Sequence, residues 1–215
     1  MTARSALDIT SSSQRSGALP PMAWSVVGAV ALIKLLTQLW AIHGYGIFRD
    51  ELYYLACADH LDWGYVDHPA LSIVILWIVK HLFGTSLVAL RLVPALAGAA
   101  TIVLVAATAR VMGGTRVAQA LAAVATLIVP IYLAFSHIYS MNAVTVLIWA
   151  TAAYLLARLI ATGQAQLWWA IGVVLALGLA NKLDVLWLGA GLAVGLVLTP
   201  QRRWLATRWP WLAGS

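Results

Sequence analysis

The chain has 215 residues, of which 63% are hydrophobic and only 9% are charged, with a net charge of +6 and a mean hydropathy of +0.91. Soluble domains carry about a quarter of charged residues, so this composition excludes a soluble globular protein. The basic residues stand singly between apolar runs, as in loops that set membrane orientation, and they indicate no nucleic-acid surface. The single Cys57 excludes an internal disulfide and a cysteine cluster for structural zinc.

In chain order, a polar, serine-rich leader at residues 1–21 is predicted to be disordered and cytoplasmic. Apolar runs follow at about 22–43, 92–110, 117–135, 141–160, 165–181 and 185–200. Each lies near the roughly 20 residues that a bilayer requires, and only helices satisfy their own backbone in lipid at this length. The sequence therefore predicts an all-α polytopic transmembrane helical bundle over residues 22–215, with about six spans.

Residues 69–79 form a short apolar run before Lys80, which suits an interfacial helix better than a span. If this run does not cross the membrane, eight basic residues are cytoplasmic and four are outside. If it crosses, five basic residues are cytoplasmic and seven are outside. The tendency of basic residues to stay inside favours the first arrangement. That arrangement places an outer loop at 44–91 and turns near 137–142 and 181–184 on the non-cytoplasmic side.

Five of the seven acidic residues lie within residues 50–67, inside this outer loop. Ionised carboxylates are costly in hydrocarbon, so we expect a wet functional face here. Asp50 suits the N-cap of a short helix that runs to about His60, and both capping and catalysis stay open for this carboxylate. A second polar group, Asp67-His68-Pro69, precedes the interfacial helix and brings an imidazole into the same loop.

Four short motifs follow one another: Arg-Asp-Glu-Leu-Tyr-Tyr at 49–54, Asp-His-Pro at 67–69, Leu-Phe-Gly at 82–84 and Ala-Leu-Arg-Leu at 89–92. In this order, after a first span and before paired helices, they resemble the N-terminal part of GT-C fold glycosyltransferases. The closest group is family 39 and its relatives, the protein O-mannosyltransferases and the aminoarabinose transferases that modify lipid A. The resemblance covers about residues 22–210.

This resemblance implies that Asp50 is the catalytic base, with Glu51 as the following acid, and that Asp67-His68-Pro69 is the acidic-basic-Pro motif of the loop. It also implies inverting transfer of a sugar from a polyprenyl-phosphate donor to a hydroxyl of a protein or lipid acceptor. Such a donor carries an activated leaving group, so the site needs a carboxylate to take the acceptor proton and cations to hold the departing phosphate.

The predicted substrate-binding residues are Arg49, Tyr54, Asp67, His68, Arg91, Asn142 and Lys182. Arg49, His68, Arg91 and Lys182 are the candidate partners of the phosphate. For Lys182, snorkelling from a helix end is an equal alternative. Lys34 and His137 are expected to find partners within the bundle rather than to bind a ligand.

Two features differ from the family pattern. Many relatives have an acidic residue at the start of the fourth span, where this chain has the uncharged Asn142, so a divalent metal stays open with no ligands assigned. The relatives also carry further spans, so we expect additional C-terminal helices or a partner subunit to complete the site.

The alternative function is a non-catalytic membrane subunit or transporter module whose acidic loop binds a cation or a partner. The predicted location is the plasma or inner membrane, with the active loop outside and membrane lipid as a further partner.

Overall fold

A computed structural model describes residues 19–214, which form helices and no sheet. The α-helices are α1 (Trp24–Ala41), α2 (Arg49–Asp59), α3 (Leu71–Phe83), α4 (Leu87–Val111), α5 (Arg116–Ile128), α6 (Pro130–Phe135), α7 (Met141–Thr162), α8 (Leu167–Asn181), α9 (Val185–Leu198) and α10 (Trp209–Ala213). Short 3-10 helices lie at Ile42–Gly44 and Pro200–Ala206. The all-α class is therefore confirmed for this part of the chain. The predicted leader lies outside the described residues except for 19–21, which are not helical.

Three of these helices, α1, α4 and α7, are long and apolar enough to cross a membrane, with 18, 25 and 22 residues. A fourth span results if α9 and the following 3-10 helix, which are bent by 105°, are counted together. The apolar helices α3, α5 and α8 have only 13 to 15 residues. The described residues thus form an integral membrane bundle with three to four spans by length and composition, and the predicted number of six is not confirmed.

Two predicted boundaries were wrong. Helix α4 begins at Leu87 instead of 92, because the hydroxyl of Ser86 caps it by accepting a hydrogen bond from the Ala89 N–H at 3.2 Å. Arg91 therefore lies in the second turn of a helix and not in a loop. The predicted span 117–135 is broken into α5 and α6, since Pro130 lacks an N–H and holds Val129 in an extended conformation.

Helix α4 is central and packs against α1, α5 and α7. At the contact of α1, α4 and α5 the core consists of small and branched side chains: Ala23, Val27, Val30, Ile102, Ala106 and Ala123. Gly98 of α4 lies against two side chains, because a Cβ there would lie 2.8 Å from the Cβ of Ser136 and 3.1 Å from the Cε of Lys34. A small residue at this position lets these side chains pack against α4.

Helix α1 runs antiparallel to α4, since Pro20 meets Arg110 and Ile42 meets Arg91, whereas α7 begins at the same end as α4, so the bundle has two ends. The acidic end contains residues 42–86 and the turns before α7 and α9; the Tyr139 N–H donates to the Glu51 carboxylate there. The arginine end contains residues 19–23, the turns after α4 and α7, and residues 199–214; the Arg110 guanidinium donates to the Pro20 carbonyl there, at 2.6 Å. All six described acidic residues lie at the acidic end: Asp50, Glu51, Asp59, Asp62, Asp67 and Asp184.

Candidate functional site

A buried ion pair lies beneath the acidic end. The carboxylate of Glu51 on α2 accepts from Arg91 of α4 through two parallel bonds, Nε to Oε1 at 3.0 Å and Nη2 to Oε2 at 2.8 Å. The Phe48 N–H and the Tyr139 N–H donate to the same carboxylate at 2.8 and 2.9 Å. Burial raises the pKa of Glu51, but the hydrogen bonds from Arg91, Phe48 and Tyr139 outweigh it and lower the pKa below the usual carboxyl range.

The Arg91 guanidinium is fully engaged by these contacts. Its remaining N–H groups donate to the carbonyls of Ile42, Tyr45 and Gly46 at 2.7 to 3.1 Å, so all five donors have acceptors. Only 1% of the residue is exposed. A single side chain therefore ties the end of α1, the loop after it and the start of α2 to α4.

Asp50 is next to this pair in sequence but has a different environment. Its side chain is 45% exposed, and its one ion pair is with the Nε of Arg49, at 3.2 Å, whose own side chain is 88% exposed. The N-cap of α2 is Phe48, and Glu51 accepts the bond from its N–H, so the expected capping role of Asp50 was wrong. Its carboxylate is available at the positive end of a helix.

Tyr54 connects α2 with the N-terminus of α7. Its hydroxyl accepts a hydrogen bond from the Met141 N–H at 3.1 Å, and burial raises the pKa of this phenol to about 12. The hydroxyl of neighbouring Tyr139 donates to the Ser72 carbonyl at 2.6 Å. The first turn of α7 is thus held against both helices of the loop.

The imidazole of His68 lies under the loop, with a fully buried side chain. It stacks on Tyr54 with ring centroids 4.9 Å apart, and its Nδ1–H donates to the Pro69 carbonyl at 2.8 Å. Its Nε2 has no hydrogen-bond partner among the described residues and lies 3.8 Å from the Asp67 carboxylate. Asp67 in turn accepts from the Tyr53 hydroxyl at 2.8 Å. The ring therefore presents one unsatisfied nitrogen towards the carboxylate.

Lys182 lies at the end of α8, beside the first turn of α7. Its Nζ donates to the Asn142 side-chain oxygen at 2.9 Å and lies 3.6 Å from an Asp184 carboxylate oxygen. The preceding Asn181 is fully buried and donates to the Met141 carbonyl at 3.0 Å. Lys182 keeps about a third of its side chain exposed, so it can meet a ligand without leaving Asn142.

Lys34 and His137 have partners inside the bundle, as the sequence predicted. The Lys34 ammonium donates to the Tyr132 carbonyl at 3.0 Å, and Gln38, one turn later, donates to the Leu133 carbonyl at 3.2 Å. The Gln38 side-chain oxygen accepts from the His137 Nδ1 at 3.1 Å. Burial, followed by the charge of Arg91, lowers the pKa of His137. These contacts fix the turn that leads to Tyr139.

The structure brings together three of the predicted polar segments at one end: the loop, the turn before α7 and the turn before α9. Around the start of α7 lie six of the predicted site residues: Asp50, Tyr54, Asp67, His68, Asn142 and Lys182. Glu51 and Arg91 lie beneath them, and Arg49 points outwards. Sequence reasoning missed Tyr139 and Gln38; a polar Gln in an apolar span was the available signal.

No group of three or more His, Cys, Asp and Glu side chains within residues 19–214 is arranged to hold a metal ion. Asn142 faces an ammonium instead of carboxylates. The open metal prediction therefore receives no ligand set from this part of the chain.

A sequence model described as dolichyl-phosphate-mannose-protein mannosyltransferase matches residues 67–215, well over half of the chain. The chain belongs to this mannosyltransferase family. No curated protein and no solved structure gives a match. The part that matches the mannosyltransferase family includes Asp67, His68, Asn142 and Lys182, whereas Asp50 and Glu51 precede it.

Proposed function

We propose that this protein transfers a sugar from a polyprenyl-phosphate donor to a hydroxyl acceptor, with Asp50 as the general base. The observation that carries the proposal is the contrast between two adjacent carboxylates. Glu51 is fully buried and accepts four hydrogen bonds, whereas Asp50 is 45% exposed, one turn before Tyr54, whose hydroxyl contacts the first residue of α7. Family membership supports glycosyl transfer, and the exposed carboxylate supports the assignment of the base.

In the proposed reaction, the acceptor hydroxyl gives its proton to Asp50 as its oxygen forms a bond to the anomeric carbon. The bond between that carbon and the phosphate oxygen breaks, and its electron pair leaves with the polyprenyl phosphate. The developing charge on the phosphate requires cations, because charge stabilisation is a large term in such reactions. The products are the glycosylated acceptor, the free polyprenyl phosphate with one additional negative charge, and a protonated Asp50 that then releases its proton to solvent, so atoms and charge balance.

We assign the phosphate to Lys182 and His68, with Arg49 at the exposed rim. Lys182 is one-third exposed and needs no rearrangement to meet an anion. The His68 Nε2 has no hydrogen-bond partner among the described residues, so this nitrogen is free to bind a substrate atom. Tyr54, Asp67 and Asn142 would orient the two substrates from the same face.

Glu51 and Arg91 enter this proposal as positioning residues. A base made from Glu51 would first have to lose hydrogen bonds that keep it ionised, and Arg91 has no donor left for a phosphate. Their pairing instead fixes the start of α2, and with it the direction of the Asp50 side chain.

The orientation is part of the proposal. We infer six crossings, with α3 at the interface, and with the acidic end on the non-cytoplasmic side of a plasma or inner membrane. The arginine-rich opposite end supports this direction.

Single cysteines placed at 113–115 and 200–203 should resist membrane-impermeant thiol reagents in intact cells, while those at 61–66 and 181–184 should be labelled. Labelling at 113–115 together with protection at 181–184 would overturn the proposed orientation.

The catalytic assignment is tested by Asp50→Asn in the full-length protein, assayed in membranes with polyprenyl-phosphate sugars. Transfer should fall by about 10²–10⁴-fold, the usual contribution of a positioned general base. Expression should not change, because Asp50 does not cap α2.

The matched control is Asp59→Asn, since Asp59 lies on the same helix and, within residues 19–214, pairs with Lys80 at the surface. This variant should keep its activity. Wild-type transfer by Asp50→Asn would remove the assignment of the base and leave the loop as a structural or binding element, whereas no transfer by the wild-type protein with any donor would favour the non-catalytic subunit.

A further inference from the structure

The last part of the chain turns back across the arginine end. After α9 the direction changes by 105°, and α10 lies so close to α8 that a Cβ on Gly172 would be 3.1 Å from the Cβ of Ala213. Trp204 is buried there against Trp168, with ring centroids 6.2 Å apart. The segment 200–213 is therefore packed onto the bundle by its aromatic side.

The same segment is also cationic. Arg202, Arg203 and Arg208 are exposed, and two of these guanidinium groups lie over indole rings, Arg203 at 5.9 Å from Trp204 and Arg208 at 5.5 Å from Trp209. None of the described acidic residues lies at this end of the bundle, so these charges have no carboxylate partner within residues 19–214. Their natural counter-ions are anions of the membrane surface.

An apolar groove between α7 and α9 extends to Gln201, which directly precedes Arg202 in the chain. The groove has a volume of about 190 Å³, and its lining residues are Leu156, Ile160, Gly191, Leu192, Gly195, Leu196, Thr199 and Gln201. No atom lies within 4 Å of a Cβ built on Gly191 or Gly195, so the glycines leave open space. The groove ends at Thr199 and Gln201, and the Gln201 Oε1 has no hydrogen-bond partner among the described residues.

We propose that this groove binds an anionic phospholipid, independently of the sugar-transfer site. One acyl chain lies along Gly191 and Gly195, and the headgroup phosphate accepts hydrogen bonds from Arg202 and the neighbouring guanidinium groups. Guanidinium groups bind phosphate through two parallel bonds, and apolar walls match the chain. Charge complementarity selects the lipid over an apolar helix as occupant, because a helix would leave the three arginines without counter-ions.

The test uses the full-length protein purified in detergent and titrated with dioleoyl phosphatidylglycerol or dioleoyl phosphatidylcholine, with bound lipid counted by native mass spectrometry. The two lipids share their chains and differ in net charge. We expect phosphatidylglycerol to bind more tightly and to raise the melting temperature more. The variant Arg202→Gln/Arg203→Gln/Arg208→Gln should lose about 100-fold in affinity for it, about fivefold for each charge.

A pair of glycine variants tests the groove itself. Gly195→Leu fills it, whereas Gly189→Leu puts the same side chain on the same helix about 120° away, where a Cβ also meets no atom within 4 Å. Leucine is a better helix former than glycine, so both variants should fold. Only Gly195→Leu should lose the bound phosphatidylglycerol.

Equal binding of the two lipids, or unchanged binding by Gly195→Leu, would overturn the proposal. A dimer without lipid that Gly195→Leu separates into monomers would show that a helix of a second copy occupies the groove.

Discussion

Each end of the bundle is closed by one buried side chain that connects distant backbone segments, but the two side chains differ in charge. At the acidic end, Arg91 binds three carbonyls and the Glu51 carboxylate. At the arginine end, the fully buried Gln119 accepts from the Ala23 N–H at 2.9 Å and donates to the carbonyls of Pro21 and Gly114. A neutral amide is sufficient to join chain segments there.

The difference in charge between Arg91 and Gln119 indicates that the acidic end needs a fixed carboxylate in addition to joined chain segments. A buried charge requires a partner, so Arg91 fixes Glu51 as well as the loop carbonyls, and this determines how α2 begins. The pair also makes this end sensitive to pH, whereas the Gln119 connection does not titrate. The rigid and charged connection lies beneath the proposed catalytic carboxylate, and the neutral one joins the start of α1 to the turn before α5.

The largest effect is expected from Arg91→Met. It leaves the Glu51 carboxylate buried without its counter-ion and three carbonyls without donors, which should lower the free energy of unfolding by about 3–5 kcal/mol. Thermal unfolding of the detergent-purified protein measures this. The control Arg202→Met removes an exposed arginine and should melt close to the wild type. Similar melting of the two variants would contradict the comparison.

A smaller effect is expected from Gln119→Leu, which leaves one backbone N–H and two carbonyls without partners but no buried charge. The expected loss is about 2 kcal/mol, within the range for unsatisfied polar groups. Gln166→Leu is the control, since Gln166 is exposed at the same end. If Gln119→Leu destabilised the protein more than Arg91→Met, charge would not be the distinguishing property.

Acid should weaken the acidic end selectively. The pKa of Glu51 is lower in the folded than in the unfolded protein, so its contribution to stability is complete above the ordinary glutamate pKa of about 4.3. That contribution is lost as the pH falls through the folded-state value. Melting temperatures of the wild type and Glu51→Gln, measured from neutral to acidic pH, should therefore converge in acid. A constant difference over this range would show that the Glu51 ion pair is not what titrates.

The smallest effect concerns an ion pair at the surface of the acidic end. Lys80 donates to the Asp59 carboxylate, and this bond, first, and then the charge of Lys80 lower the pKa of Asp59. Exposed pairs contribute little to stability because water and salt screen them. Lys80→Met should not change the melting temperature measurably. A clearly lower melting temperature of Lys80→Met would show that ion pairs stabilise this protein even where they are exposed at the surface.

Much of the architecture follows from local properties of the sequence. Hydropathy and run length predicted an all-helical membrane protein, and the motifs at 49–54 and 67–69 predicted its family and the end at which polar residues gather. The position at which one predicted span is broken into two helices was harder to predict. Pro130 is visible in the sequence, but a 19-residue apolar run reads as one span until the helix is seen to stop at Ile128.

Only the tertiary structure decided which charges are available. The sequence presents Asp50 and Glu51 as neighbours and Arg91 as one cation among several, because hydropathy and motif spacing do not specify contacts across 40 residues. The docking of α2 against α4 pairs Glu51 with Arg91 and leaves Asp50 exposed. Burial and hydrogen bonding depend on which surfaces meet, and side chains that are adjacent in a helix point about 100° apart, so one is enclosed and the other is not.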